Sequence, residues 1–241
     1  MLMKTLQVLF LCLVCATSSF GQKVEFAGQL HTGVSAFGGK SATGTTVMNC
    51  FAFDNSWNQT ANPYGKKFAL SYGAHLHVQR VSGNNLLIGA QAGAEVLRSR
   101  VSINEVYVLD MPNSSYLERK EATGKATTRN EFLNLYPYLG YRLKAGTVDL
   151  DLLLGPDIGI GLGSSEKGEA TAADRTTYSV DRERNTPETD VRARVGVTAY
   201  YHHVGFSASY AHGFTNYLRG YDGSNPELYS RVLRLGLLYR L

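Results

Sequence analysis

The chain has 241 residues, 44% of them hydrophobic and 18% charged, with 25 glycines and 15 tyrosines. Its mean hydropathy of −0.17 is too polar for a bundle of membrane helices, and nothing beyond the N-terminal leader is apolar for the about 20 residues that such a helix needs. The formal charge of +4 falls to +3 without Lys4 of that leader, and no compact basic run accompanies it, which argues against a nucleic-acid partner.

Met1 to Lys4 makes a short basic start, Leu6 to Ala16 is apolar, and Ser18 to Gln22 offers small residues for cleavage. Residues 1–21 therefore read as a secretory signal and residues 22–241 as one β-rich domain. Cys12 and Cys15 fall inside the signal without the small-residue pattern of a lipoprotein site. Cys50 is then the one cysteine left, so no intramolecular disulfide is available, and it reads as a loop residue.

The rest of the chain alternates with period two, segment after segment. Lys23 to Phe37 sets Val24, Phe26, Leu30 and Val34 against Glu25, Gln29, His31 and Ser35, and Lys67 to Val81 sets Phe68, Leu70, Leu76 and Val78 against Ser71, His75, His77 and Gln79. Leu86 to Ser99 opposes Ile88, Ala92 and Val96 to Gln91 and Glu95. Glu131 to Leu143 and Thr147 to Gly163 follow, the latter with Leu150, Leu152, Leu154, Ile158 and Ile160 on one face and Asp149, Asp151 and Asp157 on the other. Asp190 to Tyr201 carries Arg192 and Arg194 opposite its valines, Val204 to Gly213 alternates Phe206 and Tyr210 with Ser207 and Ser209, and Tyr229 to Leu241 opposes Leu233, Leu235 and Leu237 to Arg234 and Arg240.

Between these segments, short turns (Ser82 to Asn85, Lys144 to Thr147, His202-His203) alternate with long polar connections at 38–66, 100–130, 164–188 and 214–228. The pattern predicts an eight-stranded antiparallel transmembrane up-and-down β-barrel, with long extracellular loops, short periplasmic turns and both termini in the periplasm of a cell with an outer membrane. Val101 to Leu109 has the β-branched character to lengthen the third strand or form a hairpin of its own, while 164–188 is too charged to bury a core and reads as mobile. A soluble ligand-binding barrel would carry the opposite polarity, grease inside and charge outside.

The sequences LNLYPYLGYRL (Leu133 to Leu143), LLLGPDIGIGLG (Leu152 to Gly163), YAHGFTNY (Tyr210 to Tyr217) and RLGLLYRL (Arg234 to Leu241) resemble the PorT-like outer-membrane β-barrel domain of Bacteroidota, most specifically at Gly213-Phe214-Thr215-Asn216. The resemblance spans 23–241 and departs at the C-terminus, where Tyr239-Arg240-Leu241 stands in place of a terminal aromatic. It implies the fold and the location, with outer-membrane lipid including lipopolysaccharide, the barrel assembly machinery, and envelope or secretion proteins as partners.

An inward set of Asp149, Asp151, Asp157, Arg142, Arg192, Arg194 and Arg234 is expected to neutralise itself across a narrow bore and close it, the alternative being a proton or ion path. His31, His75 and His77 share that interior as a weak metal candidate that lacks a fourth ligand, so no cofactor is implied. Phe51, Phe53, Trp57 and Tyr64 in the first long connection combine rigid aromatics with small polar neighbours, as recognition surfaces do. His212, Asp222 and Ser224 cluster near the last connection without a nucleophile signature, which leaves a rim hydrolase or acyltransferase a minor alternative to a structural or surface-interaction role.

Overall fold

The computed structural model describes residues 23–51, 55–110, 116–185, 187–219 and 225–241; the leader read at 1–21 lies outside them. The elements run β1 (Lys23–Gly38), β2 (Thr45–Phe51), a single 3-10 turn (Asn55–Trp57), β3 (Gln59–Thr60), β4 (Lys67–Val81), β5 (Leu86–Asp110), β6 (Tyr116–Ala145), β7 (Val148–Ala172), β8 (Thr177–Glu183), β9 (Thr189–Tyr201), β10 (Val204–Gly213) and β11 (Tyr229–Arg240). No helix among the described residues is long and apolar enough to cross a membrane.

Eight of these strands form a closed antiparallel circuit: β1, β4, β5, β6, β7, β9, β10 and β11 each pair with the next, and β11 returns to β1. Closure leaves no strand edge unpaired in this part of the sheet. Each of the eight segments expected from alternation is a strand of this ring. Three of its connections are tight, with Asn85, Gly146 and His202 taking positive φ of 66°, 64° and 53°, the left-handed conformation that short hairpins require. All three turns lie at the end of the ring where β1 starts and β11 finishes.

Period two also sets the ring's polarity. Leu30, Leu76, Leu154 and Phe206 stand exposed on the outside, Leu76 to 74%, while Glu95, Asp157, Arg192 and Arg234 are buried within. In water each such outer side chain forgoes a good part of the about 1.5–3 kcal/mol that burial supplies. A belt of this kind running round the whole circuit calls for an apolar surrounding.

Outside the ring the structure corrects two expectations and decides one alternative left open. First, 38–66 is not a featureless loop: β2 pairs in parallel with the far half of β5, from Thr45↔Ser102 to Phe51↔Leu109, and β3 pairs with β2. The sheet is therefore mixed, not antiparallel throughout. Second, 101–109 does extend the third strand, and with β6 it makes a hairpin that continues far past the ring. Third, 164–188 is built into the fold, because β7 runs on to Ala172 and β8 adds to its edge.

One physical cause underlies all three. β4 pairs with β5 only as far as Arg100, and β9 with β7 only as far as Ile160, so the projecting halves of β5 and β7 each have a row of backbone groups to satisfy. β2 and β8 take those two edges. The projection then buries an apolar core of its own from Met48, Cys50, Val101, Ile103, Val106, Ala126, Ala170 and Val180. Cys50 is in that core and is not a loop residue. Glu166, expected in a mobile stretch, is fully buried where it accepts hydrogen bonds from Thr60 and Arg184.

Candidate functional site

The inward faces of the ring bring the predicted charged set together in two layers. Near the tight turns, Arg142 of β6 spans the bore, donating to Glu25 of β1 at 2.8 and 3.0 Å and to Asp151 of β7 at 2.6 and 2.8 Å. Gln79 donates to both carboxylates, at 2.9 and 3.1 Å, and accepts from the Tyr138 hydroxyl at 3.0 Å. Asp149, at the mouth, lies 3.6 Å from Arg142 and 3.2 Å from Arg240.

The second layer sits midway. Glu95 of β5 accepts from Arg234 at 2.8 and 2.9 Å and from Arg192 at 2.7 Å. Asp157 accepts from Arg234 at 3.0 Å and from Asn134 at 2.7 Å, and lies 3.1 Å from Arg192. Register explains the pairing with Arg192, since Asp157 stands directly opposite it in the β7–β9 ladder. Asp190 completes the layer with Tyr217 and Ser230 as donors at 2.7 and 2.8 Å. Charges so confined are stable only when paired and hydrogen-bonded.

Arg194 departs from the expected ion network. Among the described residues it has no carboxylate partner; it donates to Ser209 and Gln91, each at 3.1 Å, and its guanidinium lies 4.4 Å from the centre of the Tyr136 ring. Conversely, Glu25, Glu95, Asp190 and Arg240 belong to the layers without having been singled out from the sequence. The first two already stood on the polar faces of their strands, and a count of inward charge would have found them, because the named set alone carried more arginine than aspartate.

The three histidines divide. His31 and His75 stack, ring centres 4.6 Å apart and 17° from coplanar, in space kept open by Gly73 and Gly93, where a Cβ would strike one ring or the other. Ligand atoms of His31, His75 and Glu95 all come within 4.8 Å of one another, whereas the His77 ring nitrogen turns away to Gln29 at 2.6 Å. Both oxygens of Glu95 are engaged by arginine, so a metal ion placed there would compete with two guanidiniums for its only anionic ligand.

Apolar layers stop the bore. Leu97, Phe132, Ala211 and Val232 pack across it above the second charged layer, and Phe37, Ala42 and Leu228 cap its far end. Between these two, beside Ser35 and Tyr217, a residual space of about 10 Å³ remains, about what one water needs.

The aromatic set from the first long connection is also split. Phe51 and Trp57 meet edge to face at 6.5 Å, with Trp57 exposed, but Tyr64 points into the cap, 5.1 Å from Phe37. Phe53 lies outside the described residues. His212 meets Tyr210 and Phe214, while Asp222 and Ser224 lie outside the described residues.

No protein-family model matches the chain, and no curated protein does. Among solved structures it is similar to Ail, the attachment invasion locus protein of Yersinia pestis, at 13% identity and a TM-score of 0.36, over 91% of this chain and 99% of that one. It is also similar to Neisserial surface protein A at 11% identity and 0.32, over 91% and 98%. A deletion mutant of OmpT, an outer membrane protein of Vibrio cholerae, matches at 14% and 0.15, over 72% and 55%. At such values no residue role passes from them to this chain.

Proposed function

We propose that this chain is an outer-membrane β-barrel protein with a closed bore and a structural or surface-interaction role, its termini and tight turns in the periplasm and its projecting sheet outside the cell. The observation that carries this reading is the joint polarity of the closed ring: leucine, valine, isoleucine and phenylalanine point outward from every strand, and arginine pairs with carboxylate within. Only a closed sheet lets strands cross a hydrocarbon layer with every backbone group paired. The same polarity weighs against a soluble barrel holding an apolar ligand. Trp57, exposed on the projection, is the aromatic of the recognition set best placed to meet a partner at the surface.

The PorT-like resemblance supports a finer reading, a component of an envelope or secretion assembly reached through the projecting sheet. The test is to wash the outer-membrane fraction with salt and run the protein boiled and unboiled on a denaturing gel. A closed barrel stays with the membrane and migrates differently before boiling; release by salt with no shift in mobility defeats the proposal.

A further inference from the structure

On the outer face of β4, β5, β6 and β7 the apolar belt ends abruptly. Above Leu70 on β4, Val96 on β5, Leu133 on β6 and Leu162 on β7, the outward residues become polar, and the cations Lys67, Arg98, Arg100, Arg129, Lys125 and Lys167 outnumber the carboxylates Glu131 and Glu169. They are cross-strand neighbours: the register runs Lys67↔Arg100↔Thr127↔Lys167, with Arg98↔Arg129 one step below and Ser102↔Lys125 one step above. Two of these ladder positions place cation directly opposite cation, an arrangement that destabilises a sheet.

Carboxylates relieve it only in part. Arg129 is paired with Glu131 and Lys167 with Asp181, both at 2.8 Å. Among the described residues Lys67, Arg98 and Arg100 have no carboxylate at ion-pair distance, and Lys125 stands opposite Glu169 in the β6–β7 ladder. Lys67 reaches the Ser102 hydroxyl at 2.5 Å, and Arg98 lies over the Tyr72 ring, 5.2 Å from its centre. Lys67, Arg100, Lys125 and Lys167, with the carboxylates Glu169 and Asp181 at its far side, line a shallow cleft of about 920 Å³ on this face.

We infer that this cleft and the arginine pair beneath it bind the phosphate groups of an outer-leaflet lipid, a reading that rests on the membrane placement proposed above. Height selects the occupant. Rows of outward residues lie about 7 Å apart along a strand, so the lower two rows, Arg98 with Arg129 and Lys67 with Arg100, fall within the headgroup zone that begins where the hydrocarbon ends, about 5–8 Å deep on each side of the bilayer. Chemistry agrees with height. Guanidiniums bind phosphate oxygens in pairs, and an anion set between Lys67 and Arg100, or between Arg98 and Arg129, turns each repulsion into two attractions. The flanking Leu70, Phe68 and Leu133 are exposed where the acyl chains of that lipid would lie.

The full chain, folded in neutral detergent, is titrated with a bisphosphorylated glycolipid and with the same lipid stripped of phosphate. The unfolding temperature is read for the wild type, Lys67→Gln/Arg100→Gln and Arg98→Gln/Arg129→Gln. The expected result is a change of sign. In neutral detergent the variants unfold at the same or a higher temperature than the wild type, because a repulsion has gone, whereas with the phosphorylated lipid the wild type rises, the variants do not, and their affinity for it is at least tenfold weaker. Equal response to the stripped lipid overturns the inference, and so does stabilisation by a soluble sulfated oligosaccharide in preference to the lipid. If mobility on the gel is unchanged by boiling, the membrane reading itself has failed and this one with it. A retained heat shift with no phosphate-dependent response rejects the lipid site alone.

Discussion

Glu95 is the residue on which most of the interior depends. It is fully buried, and two guanidiniums converge on its oxygens. Glu95→Gln leaves Arg192 and Arg234 short of negative charge in a closed space, and the expected loss is about 3–5 kcal/mol. Glu131→Gln removes the partner of Arg129 at a half-exposed position, and there solvent limits the expected change to about 0–1 kcal/mol. Urea unfolding of the two variants in the same micelles gives the comparison; similar losses would mean that the inner layer is solvated. Cys50 offers a second residue-level check. Burial among apolar neighbours pushes its thiol up to about 12, so at pH 8 it stays protonated, and a thiol reagent is expected to label it only after denaturation. Rapid labelling of the native protein would place β2 outside the core.

Among the elements, the projecting sheet is separable from the ring. Of the ring strands, β2 and β8 pair only with the far halves of β5 and β7, and the core between them shares none of its residues with the charged layers. Met48→Asp puts a carboxylate where Met48 is wholly buried, at a cost of several kcal/mol that local opening can relieve. The expected outcome is cleavage of the projection by added protease while the heat-dependent gel shift of the ring persists. Loss of both together would show that ring and projection fold as one unit. Gly73 and Gly93 act at this scale too: by omitting a side chain they let β4 and β5 house the stacked His31 and His75 rings inside an eight-strand bore.

Viewed as a whole, the molecule is a tube closed in series by a charged layer, a layer in which Tyr136 and Tyr138 pack with Leu87 and Leu153, a second charged layer and two apolar ones. Eight strands enclose space only for side chains, and these side chains use it. In a planar bilayer the protein is expected to show no steady conductance above leak. A stable single-channel current from the wild type would mean that the layers part, and would favour the ion path over the structural network.

Alternation alone was enough to locate all eight ring strands, because a side-chain period of two is a local property that burial on one side imposes on each strand separately. It placed Asp149, Asp151, Asp157, Arg142, Arg192, Arg194 and Arg234 on inward faces for the same reason. Which charges meet was beyond it: Arg142 finds Glu25 across 117 positions of sequence and Arg234 finds Glu95 across 139, and register and ring closure make those pairs. Arg194 looks like its neighbour Arg192 in sequence, yet it stands opposite Gly155 where Arg192 stands opposite Asp157. The projection was hidden for a related reason. Met48 and Cys50 form too short an apolar pattern to mark a strand, and β2 is held by an edge that exists only because β5 outruns β4. Local periodicity was written in the sequence, whereas ion pairing, the second core and the basic rows above the apolar belt depend on which strands lie side by side.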